Sequence, residues 1–137
     1  MEENRENQVW QRVLARQERE AVDTLQQLMR EAESLAAVYR RNPHPLAKRL
    51  QEGEQANAAS LRGIALLSGE KLEEVKLWEP AGKPDLRRCW HRTRRCQAEY
   101  TARALDPEFG EVYRKMAERE ADHLALIAQL LGIGNNK

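Results

Sequence analysis

The sequence predicts an all-α protein, a four-helix bundle with a short additional N-terminal helix. Three observations predict it. Apolar residues recur at spacings of three and four along most of the 137 residues. No stretch alternates apolar with polar residues as a strand would. Clusters of Pro and Gly cut the periodic stretches into helix-length pieces. The length has room for one core, so the chain divides into an extension, residues 1–20, and one bundle domain, residues 21–137.

Each element follows from its own residues. Glu6 to Gln17 carries Val9, Trp10, Val13 and Leu14 at amphipathic spacing, a short helix that either runs on into the next or docks over the bundle end. The first bundle helix, about Ala21 to Arg41, places Leu25, Leu28, Met29, Ala32, Leu35, Ala36 and Tyr39 in one stripe, and Asn42-Pro43-His44-Pro45 ends it. The second starts near Pro45, a favourable first-turn residue, and carries Leu46, Leu50, Leu61 and Ile64 to a stop at Ser68-Gly69. Gly53 and Gly63 interrupt its interior and count against it. Glu70 to Lys83 is a long connection that crosses the bundle, with Leu72, Val75 and Trp78 to anchor it. The third helix begins at Pro84-Asp85 and runs to about Leu105. Asp106-Pro107 then reads as an N-cap and first turn of the fourth, which ends at Leu131 with Gly132 as its cap.

Composition narrows the function classes. Lys plus Arg, 23, nearly balance Asp plus Glu, 22, so net charge points to neither a polyanion nor a membrane surface. The longest apolar runs, Ile64-Ala65-Leu66-Leu67 and Leu124-Ala125-Leu126-Ile127-Ala128, are far too short to span a bilayer. Met1 to Gln8 is polar and has no apolar leader, which predicts a cytoplasmic protein. Cys89 and Cys96 lie two turns apart on one helix, about 10 Å at 1.5 Å per residue, so they read as core thiols and not as a disulfide.

The chemistry lies in polar residues on the apolar stripes. The fourth helix centres its apolar face on Tyr113, Met116, Ala117, Glu120, His123, Leu124, Ile127 and Leu131, which turns Glu120 and His123 inward. The second puts Leu50, Glu54, Asn57 and Leu61 on one stripe and turns Glu54 and Asn57 inward. Two carboxylates facing one core need a metal, a shared proton, a basic partner or water, because an ionised carboxylate buried alone costs several kcal/mol. Glu120 and His123 at i, i+3 leave one helix face within reach of one ion, as in the metal sites of helical bundles. The competing reading of His123 is a hydrogen-bonded core histidine beside a water-linked glutamate.

With Glu54-Gln55-Ala56-Asn57, Cys96-Gln97-Ala98-Glu99-Tyr100, Asp106-Pro107-Glu108-Phe109-Gly110 and Ala117-Glu118-Arg119-Glu120-Ala121-Asp122-His123 in place, the chain resembles the ferritin-like superfamily, its rubrerythrin-type branch most closely. The resemblance spans about Ala21 to Leu131. It implies a di-iron centre made from one glutamate of the first bundle helix, Glu-x-x-His of the second, one glutamate of the third and Glu-x-x-His of the fourth. Carried over residue by residue, Glu54, Glu120 and His123 keep ligand positions. Ala32, seven residues before Tyr39, together with Asn57 and Thr93, stands at the other three.

The resemblance places the two retained glutamates where the family bridges its metals, so two irons would lack ligands here. It therefore implies either iron or another divalent ion at a partial site completed by Asn57 and water, or no ion and a proton shared by Glu54 and Glu120. The expected function is a ferritin-like bundle with a degenerate metal centre that acts as a non-catalytic binding or interaction protein. The alternative is a di-iron oxidoreductase or ferroxidase of rubrerythrin type in which Glu31 or Glu33 supplies the missing ligand; it requires a core carboxylate from the first bundle helix. Glu31 and Glu33 sit about 100° to either side of Ala32 and are expected to face solvent.

Other features read as structural. Arg87, Arg88, His91, Arg92, Arg94 and Arg95 fall within about 160° of arc on the third helix, a solvated basic face with no base-reading motif beside it, so nucleic acid is not the expected partner. Tyr39 and Tyr100 are candidates to hydrogen-bond a site carboxylate. Trp10, Trp78 and Trp90 read as packing anchors, and an exposed one would mark a homo-oligomer interface. No Ser-His-Asp order, phosphate loop or CxxC supports a hydrolase, a nucleotide site or a rubredoxin-type module.

Overall fold

The computed structural model describes residues 22–78 and 85–132. The predicted helix within residues 1–20 lies outside them. Among the described residues the chain is all-helical, with four helices and no strand: α1 (Leu25–Arg40), α2 (Pro45–Ser68), α3 (Leu86–Arg103) and α4 (Gly110–Leu130).

Side-chain caps set most of the boundaries. Thr24 accepts from Gln27 N while the Gln27 side chain returns to the Thr24 backbone, a capping box that starts α1 at Leu25 and not at Ala21 as expected. His44 Nδ1 accepts from Leu46 N at 3.0 Å and sets Pro45 in the first turn of α2. Gly69, at φ 76°, closes α2 in the left-handed conformation, with Glu70 N on Ala65 O at 2.8 Å. Asp85 caps α3 through Arg87 N and Arg88 N. Asp106 Oδ1 accepts from Glu108 N and Phe109 N, both at 2.8 Å, as a cap should. The turn it stabilises precedes the regular helix, which starts at Gly110, three residues later than its cap would suggest.

α1 pairs with α2 across a short turn, and α3 pairs with α4. Going round the bundle the order is α1, α2, α4, α3, each helix antiparallel to its neighbours. α2 and α3 run in the same direction, so the chain must return along the whole bundle between them. The segment after Gly69 does this as a strap along α1. Gln26 and Glu73 exchange hydrogen bonds through the Gln26 amide, Arg30 Nε donates to Lys76 O at 2.9 Å, and Trp78 N donates to Ser34 Oγ at 3.1 Å. Leu72 and Val75 pack on the core and Trp78 is buried, the anchoring that the sequence predicts.

All seven residues of the predicted α1 stripe are buried. The core has two apolar clusters. One, around Leu28, Met29, Leu61, Tyr100, Tyr113 and Met116, fills the end where α1 begins. The other, around Leu35, Tyr39, Leu50, Cys89 and Ile127, fills the opposite end. Between them lies a polar layer, and the buried Glu31, Glu54, Asn57, Arg92, Thr93, Glu120 and His123 belong to it. No helix is long and apolar enough to cross a membrane among the described residues.

Candidate metal centre

Glu54 on α2 and Glu120 and His123 on α4 meet in this polar layer. Each offers a ligand atom, all within 4.8 Å of one another, and each is at most 2 % exposed. His123 Nδ1 lies 2.9 Å from Glu54 Oε2 and 3.1 Å from Glu120 Oε1. The i, i+3 spacing on α4 and the antiparallel approach of α2 produce this convergence without distortion of either helix.

The ring is positioned from behind by Gly53. A Cβ there would lie 2.1 Å from His123 Nε2, so only glycine lets α2 come this close. The residue that weakened the sequence reading of this helix is thus what admits the imidazole.

The same spacing serves two occupants. Without an ion, His123 Nδ1 is within hydrogen-bond distance of both carboxylates. With one, oxygen and nitrogen ligands about 2.1 Å from a divalent ion stand about 3 Å apart at adjacent positions, close to the distances seen here. Burial, then the neighbouring Glu54 charge, holds the Glu120 carboxyl well above the usual carboxylate range. An ion-free pair therefore retains a proton where an exposed carboxyl has already lost it. Glu120 Oε2 is fully buried and meets no hydrogen-bond donor of the described residues, an acceptor open to a proton, a cation or a water.

Asn57 does not complete the ligand set as expected. Its amide nitrogen donates to Glu120 Oε1 at 2.9 Å, and its oxygen accepts from Arg119 Nη1 at 2.6 Å. This network fixes the amide with its ligand atom turned away from the site. Thr93 is buried, as its placement on the α3 stripe requires, and Ala32 is buried without a polar atom to offer. Of these positions, Glu54, Glu120 and His123 bring ligand atoms together, a group that could hold a metal ion.

Two expectations fail together. Glu31 does not face solvent, and Arg92 does not belong to a solvated basic face. Both are buried, and Arg92 Nη2 meets Glu31 Oε2 at 2.6 Å between α1 and α3. The strap is the reason. Trp78 lies over this flank, with the Arg88 guanidinium 4.1 Å and the Arg92 guanidinium 5.6 Å from its ring centroid. Of the six residues of the expected basic face on α3, only Arg87 and Arg94 are exposed. Glu33 stays on the surface side, 3.9 Å from Arg62. The core carboxylate that the di-iron alternative requires from α1 is therefore present as Glu31, already neutralised by a guanidinium.

Cys96 is buried on α3 and free. Burial raises its pKa well above the ordinary thiol value, and the charges of Glu120, Glu31 and Glu54 raise it further. Burial likewise pushes Cys89 up to about 12, so both thiols are protonated and inert at neutral pH, as core thiols should be. The Tyr39 and Tyr100 hydroxyls are buried, but neither hydrogen-bonds a site carboxylate.

The Glu31–Arg92 pair escaped the sequence reading, because helical periodicity centred on Ala32 places Glu31 at the edge of the stripe. The available signal was Trp78, an anchor in a connection that had to cover some flank of the bundle. Compared with protein-family models, with curated proteins and with solved structures, the chain matches none.

Proposed function

We propose that this protein is a ferritin-like bundle whose metal centre is reduced to a single divalent ion on Glu54, Glu120 and His123, and that it works as a metal-binding or interaction protein and not as an oxidoreductase. One observation carries the reading: three ligand atoms converge in a fully buried layer where an orphaned Glu120 oxygen faces no donor. The remaining ligand positions of the resemblance hold Ala32, Thr93 and an Asn57 whose oxygen is taken by Arg119. Oxygen activation by two irons needs both held in fixed geometry. The two free, buried thiols accord with a reducing cytoplasm, and a homo-oligomer is compatible with the same reading.

The burial of Glu31 favours a second reading, the di-iron oxidoreductase or ferroxidase, in which Glu31 would leave Arg92 to bind iron. Metal content separates them. Protein expressed with added iron or manganese and measured by plasma mass spectrometry should carry about one ion per chain, lost in Glu120→Ala. About two per chain would favour the oxidoreductase, and none would overturn both.

A further inference from the structure

Asn57 on α2 links the candidate ion site to the surface. It is fully buried, and its side chain meets an opposite charge at each end. Nδ2 donates to Glu120 Oε1 at 2.9 Å, and Oδ1 accepts from Arg119 Nη1 at 2.6 Å. Both contacts demand the same amide orientation. Turned over, the amide would set its oxygen against a carboxylate oxygen and its N–H groups against a guanidinium, which has no acceptor to offer. Arg119 reaches this pair from outside. It is partly exposed, it precedes Glu120 on α4 and so leaves the helix about 100° round from it, and its guanidinium crosses to α2.

The atom held 2.9 Å from Glu120 Oε1 is therefore a nitrogen that carries hydrogens, and no cation takes it as a ligand. Exchange of the two amide ends would put an oxygen at that same place. There it would stand about as close to Glu120 Oε1 as His123 Nδ1 does, at 3.1 Å, and would join the group as a fourth ligand atom.

We propose that Arg119 is a positioning residue that sets which divalent ions the site accepts: by holding Asn57 Oδ1 it keeps a third oxygen out of the ligand set. This rests on the single-ion reading above and names what tunes it. With Arg119 in place the protein offers two carboxylates and one imidazole, a set of three that suits zinc with one water. Manganese(II) favours oxygen-rich sites with more ligands, so an added amide oxygen strengthens manganese binding more than zinc binding. The guanidinium charge acts differently, because it opposes every divalent ion alike.

Zinc chloride and manganese(II) chloride, each titrated against a competing chelator, give the dissociation constants of the wild type, Arg119→Met, Asn57→Leu and the double variant. In Arg119→Met the preference for zinc over manganese should fall by about tenfold or more, the effect that partners of metal ligands commonly have. Asn57→Leu lacks the oxygen, so adding Arg119→Met to it should leave the preference unchanged. Because Arg119 is partly exposed, its methionine variant should keep the wild-type helical circular dichroism. Equal gains for both ions in Arg119→Met overturn the proposal and leave the single-ion site standing, since the guanidinium would then act by charge alone. A fall in preference of the same size in the Asn57→Leu background overturns it as well, because Asn57 would not carry the effect. A wild type that binds neither ion overturns the single-ion reading itself.

Discussion

The two flanks of the polar layer solve one electrostatic problem in different ways. Between α1 and α3, a buried carboxylate is met by a fixed cation of the chain, Arg92 on Glu31, under the indole of Trp78. Between α2 and α4, two carboxylates converge on a histidine, and Glu120 keeps an oxygen that no donor reaches. The first flank carries its own counter-charge in the chain. The second brings together ligand atoms that could take a proton or an ion. The difference shows why burial of a carboxylate is weak evidence for a ligand: what matters is whether the protein has already neutralised it.

The largest expected effect comes from breaking the fixed flank. In chelator, Arg92→Met should cost about 3–5 kcal/mol in urea unfolding, because it removes the guanidinium that meets the buried Glu31 carboxylate. Glu31→Leu/Arg92→Met should be neutral or more stable than the wild type, since removing both charges also removes both desolvation penalties. A double variant as unstable as the single would show that packing under Trp78, and not charge, holds this flank.

A smaller effect sharpens the other side. Gly53→Ala should cost about 1–3 kcal/mol by forcing the His123 ring out of place, and should weaken cobalt binding at least tenfold. Gly63→Ala, where nothing lies within 4 Å of the added methyl, should instead stabilise the same helix by about 0.5–1 kcal/mol. Equal signs from the two alanines would mean that α2 does not press on the imidazole.

The smallest effect is a pH dependence confined to the responsive flank. Folding raises the Glu120 pKa above its unfolded value, so between the two values the native state holds more protons than the unfolded chain. Metal-free stability should therefore be fullest below the ordinary carboxylate pKa and fall as pH rises toward the raised one. Glu120→Gln, with nothing to titrate, should flatten that slope. Urea midpoints in chelator at pH 5 and pH 8 measure it.

Much of this was legible in the sequence, and the misses have one cause. Apolar spacing gave all four helices, and polar residues on the stripes gave Glu54, Glu120 and His123, because a helical period of 3.6 fixes direction before any contact is known. Trp78 was legible as an anchor. What it covers was not, because the strap widens the buried arcs of α1 and α3 beyond their stripes and takes in Glu31 from the one and Arg92 from the other. The Asn57 amide was unreadable for a related reason. Its orientation is set by Arg119, a partly exposed residue of another helix, and no spacing within α2 encodes that partner.

The strap also has a kinetic meaning. Because the chain returns along the bundle between α2 and α3, α1–α2 and α3–α4 are two local hairpins whose helices can pair soon after they form. Glu31 to Arg92, Glu54 to His123, Asn57 to Glu120 and Arg119 to Asn57 each link one hairpin to the other. The polar layer is therefore the seam along which two preformed halves dock, and its charges are desolvated at the docking step. An ion that waits for this seam acts after the main barrier to assembly. It should leave the refolding rate nearly unchanged and slow unfolding, so that hydrogen exchange in all four helices slows together once the halves are stapled.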